Sequence, residues 1–81
     1  MHPSLRVVTV RMPHIQGQAV RLFERDEEFR ELCEEYLCCR ETVTRIESST
    51  GASTAMRHEY SALLLRLEHE LLRYLEEHTN G

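Results

Sequence analysis

Ile15, Leu22, Phe29, Tyr36 and Val43 recur every seven residues, and Leu32, Cys39 and Ile46 stand three places after the last three of them. A straight helix turns every ~3.6 residues, so an apolar set of period seven keeps to one stripe only when its helix lies along a partner in coiled-coil fashion. The pattern predicts a first long helix over about residues 15–48, with Gly17 weakening its first turn. Inside it, Asp26-Glu27-Glu28 reads like a helix start, because Asp caps and acids favour the positive end of the helix dipole. The seven-residue phase nevertheless runs straight from Leu22 to Phe29, which favours one uninterrupted helix.

The small-residue stretch Ser48-Ser49-Thr50-Gly51-Ala52-Ser53 predicts a loop over about residues 49–53, with Gly51 suited to a left-handed helix end and Ser53 or Thr54 to the next cap. A second helix follows over about residues 54–78, its broad apolar face made of Met56, Tyr60, Leu63, Leu64, Leu67, Leu71, Tyr74 and Leu75. A loop this short makes its two helices antiparallel neighbours. The expected fold is therefore all-α, an antiparallel hairpin of two long helices. Folding back at Gly51 sets Ile46 near Met56, Val43 near Tyr60, Tyr36 near Leu67, Phe29 near Leu71 or Tyr74, and Leu22 near His78.

The core and interface positions are then Leu22, Phe29, Leu32, Tyr36, Leu37, Cys39, Val43, Ile46, Tyr60, Leu64, Leu67, Leu71 and Tyr74. The second face is wider than one helix covers, and Phe23, Cys33 and Leu37 lie off the first helix's seam. A homodimer closing a four-helix bundle buries both surpluses by symmetry. An unidentified protein partner is the other occupant.

Residues 1–13 look different. Leu5, Val7, Val8 and Val10 approach alternation between Pro3 and Pro13, which suggests an extended or disordered arm with no strand to pair with. The helical pattern begins just after Met12-Pro13, so translation from Met12 is a further expectation, decided by N-terminal mass spectrometry of the native protein.

At 81 residues the chain has room for one domain, of a size that often needs a second subunit for stability. Charged residues make up 30% and aromatics 6%, with no Trp, which suits helices better than an aromatic-rich β-domain. The net charge of −4, with Arg interleaved among Glu, lacks the unopposed cations that nucleic-acid binding needs. Neither a membrane-spanning run nor a signal-peptide layout is visible, and an odd count of three cysteines fits a reducing compartment, so a cytoplasmic location is expected. All ten basic residues are Arg, a bias whose simplest explanation is a GC-rich genome.

Candidate chemistry is sparse. Cys33, Cys38 and Cys39 are five and one apart, so Cys38 and Cys39 point about 100° from one another on a helix instead of converging. Small buried hydrophobes are the main reading, with a thiol or metal role for Cys33 and Cys38 as an alternative. His58 and His69 share a face but stand about three turns, roughly 16 Å, apart. No Glu precedes His58, His69 or His78 by three residues, as a dinuclear carboxylate bundle requires. The acids Glu24, Asp26, Glu27, Glu28, Glu31, Glu34 and Glu35 alternate with Arg21, Arg25 and Arg30 as weak surface pairs, or as a docking patch for a basic partner. No phosphate loop or nucleophile elbow is present, so no catalytic residue, metal or cofactor is expected. An enzyme or ligand-binding protein would need a composite site between subunits, with Arg57 and Arg66 meeting a carboxylate. The expected role is a small interaction or regulatory module.

Asp26, Phe29, Leu32, Tyr36, Val43 and the run Arg45-Ile46-Glu47 resemble the first helix of the small YdcH-like bacterial family. That family's pattern is Asp or Asn, then Phe, Leu, an aromatic or His, and an Ile-Arg-x-Glu-like close. The second helix departs from it, carrying Leu63-Leu64-Leu65-Arg66-Leu67-Glu68 where members have a Lys/Arg-rich stretch. The resemblance implies a helical hairpin of unassigned function and transfers no catalytic or binding residue.

Overall fold

The computed structural model describes residues 1–49, 51 and 53–79, and all of its regular structure is helical. Helix α1 spans Pro3–Arg11, a 3₁₀ turn covers Pro13–Ile15, α2 spans Gln16–Arg25, α3 Glu27–Ser48 and α4 Thr54–Thr79.

The extended or disordered arm expected over residues 1–13 is replaced by α1 and the 3₁₀ turn. Pro3 sits in the first turn of α1, where its missing N–H costs nothing and its fixed φ suits a helix. His2 caps that turn, its Nδ1 accepting from the Ser4 N–H at 3.2 Å and lying 2.7 Å from Ser4 Oγ. Leu5, Val8, Met12 and Ile15 are buried, a helical spacing. Val7 is only half-buried and Val10 is exposed, so alternation describes the residue types and not the burial. Tertiary packing of that stripe overrides the β preference of the valines.

The single helix expected over residues 15–48 is also corrected. Asp26 has an extended backbone (φ −123°, ψ 113°), ends α2 and caps α3 through Oδ1, which accepts from the Phe29 N–H at 3.0 Å. Glu27 and Glu28 follow in the first turn. Local capping chemistry therefore wins over the continuous seven-residue phase, and Leu22 and Phe29 are both buried from separate helices.

Helices α3 and α4 are antiparallel. Cys39 Sγ reaches the Tyr60 carbonyl at 3.9 Å, Tyr36 Oη reaches Glu68 at 3.1 Å, and the Phe29 and Tyr74 rings stack at 6.0 Å. Ser53 Oγ accepts from the Met56 N–H at 3.1 Å and caps α4. The loop expected over residues 49–53 includes Thr50 and Ala52, which lie outside the described residues.

Helices α1 and α2 form a second antiparallel pair, closed by the His2 and Phe23 rings at 5.5 Å. The α1 helix packs on α3 and α2 packs on α4, so four helices surround one core. Phe29, Cys33, Tyr36, Leu71, Leu75, Val8 and Ala19 lie at its centre, each at most 1% exposed. Full burial of a side chain such as Phe29 or Leu71 contributes about 2–3 kcal/mol. Part of the surplus apolar surface assigned to a second subunit is covered from within the chain: Cys33 is buried, Phe23 packs against the core, and Leu37 is half-buried.

Candidate functional site

The four-helix arrangement does not run the whole length of the molecule, which measures 46 × 22 × 21 Å. The Arg11 side chain, at the end of α1, reaches Glu68 of α4 (3.4 Å) and shares a shallow depression with Val7, Val10 and Arg40. Beyond that level α1 turns into α2, while α3 continues to Ser48 and α4 begins at Thr54. The last two turns of α3 and the first turns of α4 therefore project past the other two helices.

This end is less well covered than the core. Met56 is 44% exposed, and Ile46, Tyr60 and Leu63 are half-buried. Val43, Ile46, Glu47, Arg57, Tyr60 and Ser61 line a depression of about 230 Å³ between the two helices. The Arg57 guanidinium donates to the Ser49 carbonyl at 3.4 Å, which holds it along the rim. The surface combines an apolar floor with a rim of both charge signs, the composition of a polar-edged protein contact.

At the opposite end a polar cluster joins three helices' boundaries. Tyr74 Oη lies 2.8 Å from Asp26 Oδ1 and 3.3 Å from Glu28 Oε2, so its one proton is shared between two carboxylates. The His78 ring stacks on Tyr74 at 3.9 Å, and its Nδ1 sits 2.9 Å from the Tyr74 carbonyl. Burial pushes the Tyr74 phenol up, and the Asp26 carboxylate beside it adds to the rise. Burial also works to raise Asp26, but the Phe29 N–H, the Tyr74 hydroxyl and the His78 charge outweigh it and hold the carboxyl below its ordinary value. The cluster caps α3 and fixes α4 against it.

A second polar tie crosses the middle. Tyr36, wholly buried, donates to Glu68 Oε2, while Glu68 Oε1 faces Arg11. The phenol is pushed up to about 12 by burial first and by the Glu68 charge and hydrogen bond second.

Of the expected core and interface residues, Leu22, Phe29, Tyr36, Cys39, Val43, Leu64, Leu67 and Leu71 are buried, and Leu32, Leu37, Ile46, Tyr60 and Tyr74 are half-buried. Sequence reasoning left out Ala19 of α2 and also Leu5, Val8 and Met12, and for the latter three the signal was the Pro3 start and the spacing from Leu5 to Ile15. The thiols are divided: Cys33 and Cys39 are buried and Cys38 is exposed. Burial pushes Cys33 up to about 12, so its nucleophilic thiolate is suppressed. Among the described residues no three His, Cys, Asp or Glu side chains converge as a metal site, and no helix is long and apolar enough to cross a membrane. Arg57 lines the depression at the projecting end, whereas Arg66 is exposed nine residues on, half a turn around α4. No protein-family model matches the chain, and no curated protein and no solved structure is significantly similar to it.

Proposed function

We propose that this chain is a small protein–protein interaction module of the bacterial cytoplasm that docks through the projecting end of α3 and α4. The observation that carries the reading is the partly open apolar floor at that end, formed by Val43, Ile46 and Tyr60, beyond the cover that α1 and α2 give the rest of the core. Clustered exposed apolar groups with a polar rim mark interaction surfaces more often than isolated ones do. The YdcH-like resemblance of residues 26–47 belongs to the same proposal, as that of a helical hairpin without assigned chemistry.

A photo-reactive residue placed at Ser61, on the rim, and another at Glu31, on the acidic solvent face, test the reading in living cells. Cross-links to a protein from Ser61 that disappear with Ile46→Glu, and none from Glu31, are the expected result. Equal yields at both positions, or none at Ser61, would overturn it.

A further inference from the structure

Granting the docking end proposed above, on which this step rests, the geometry points to its occupant: a second copy of this chain, packed end over end so that each copy's projecting α3–α4 pair completes the other's bundle. What the end lacks is the layer that α1 and α2 supply elsewhere, an antiparallel helix pair with an apolar strip on one side. Two turns of α3 and the facing turns of α4, carrying Val43, Ile46 and Tyr60, are such a pair. The surface therefore has the shape of its own complement, the condition for an isologous contact about a twofold axis.

The charges fit the same operation. Arg40 and Glu47 are seven residues apart on α3, so they lie on one stripe two turns apart, and both are exposed. Arg40 lines the depression beside Val10 and Arg11, and Glu47 lines the one at the end, so the stripe faces the side on which α1 stops. Neither makes an ion pair among the described residues. End-over-end packing sets the two α3 helices antiparallel across the axis, with Val43 and Thr44 at its level. Arg40 of each copy then meets Glu47 of the partner subunit, twice by symmetry. A contact of four short helix ends is small beside the ~1,200–2,000 Å² typical of stable complexes, so dissociation on dilution is expected.

Sedimentation equilibrium of the full chain over a dilution series, with Arg40→Glu and Glu47→Arg as variants, tests this. The wild type should pass from dimer to monomer on dilution. Each variant alone, carrying one sign of charge along the stripe, should bind itself at least about tenfold more weakly. An equimolar mixture of the two, in which opposite signs face again, should recover the wild-type midpoint. Circular dichroism of both variants checks that the exposed substitutions leave the fold intact. A wild type that stays monomeric, or a dimer indifferent to both variants, would overturn the second copy as occupant. In that event Ser61 cross-links to a different protein would leave the docking end standing, and their absence would remove both.

Discussion

Tyr36 Oη donates to Glu68 Oε2 across 3.1 Å, and the other oxygen of the same carboxylate faces Arg11 at 3.4 Å. One carboxylate thus ties α1, α3 and α4 together at the level where the four-helix arrangement ends. Because the Tyr36 ring is wholly buried, its hydroxyl has few other partners, and the bond is part of the core.

Tyr36→Phe should therefore cost about 1 kcal/mol by denaturant unfolding, the net worth of a buried hydrogen bond. It should also alter the alkaline profile. The phenol is raised from 10.0 in the unfolded chain to about 12 in the folded one, so its contribution is complete below pH 10 and is lost as pH rises toward 12. Tyr74 is raised too, with the same sign, so the variant should lose only part of the alkaline slope. An unchanged slope would show that Tyr36 ionises as freely folded as unfolded.

Asp26 holds the other end. Asp26→Ala removes both the cap on Phe29 and the partner of Tyr74, and should cost about 1–2 kcal/mol, whereas Asp26→Asn keeps the cap and should cost less. The folded carboxyl lies below its ordinary 3.8, so its stabilisation is complete above that value and fades as pH falls through the lower folded one. Acid titration of stability should consequently be shallower for Asp26→Asn than for wild type. Identical acid slopes would separate Asp26 from the fold's pH dependence.

The register of α3 on α4 was legible in advance, because paired long faces leave few ways to fold back. Phe29 stacks on Tyr74, Tyr36 reaches Glu68 beside Leu67, and Val43 and Tyr60 line one depression. Two boundaries were not. At Asp26 a cap motif and a seven-residue phase gave opposite answers, and single-residue capping decided. In α1 three of the four apolar residues are β-branched valines, and their helical use comes from packing on α3, a long-range contact that the residue types do not signal. The projecting end was invisible for the same reason: it exists only because α1 is too short to follow α3.

Val8 tests that cover directly. Its side chain is fully buried in α1, so Val8→Ala should destabilise the protein by about 2 kcal/mol through lost transfer energy and a cavity. A disordered arm would make the same substitution neutral. Thermal unfolding separates the two results, and a change within experimental error would mean that α1 does not pack on α3 in solution.

The three thiols report on the same packing from the other side. Cys38 is exposed, whereas Cys33 and Cys39 are buried, and burial raises both of the latter, with Cys33 pushed up to about 12. Alkylation needs both thiolate and access, so at neutral pH one equivalent of reagent should react promptly, at Cys38, and the other two only as fast as the protein opens. Mass spectrometry of the singly labelled protein should find the label on Cys38 alone, and denaturant should release the remaining two. Removing residues 1–11 takes away the helix packed on α3, and Cys33 should then react faster than in the full chain. Were Cys33 to label promptly in the intact protein, the thiol would be serving chemistry at the surface and not the packing of α1 on α3.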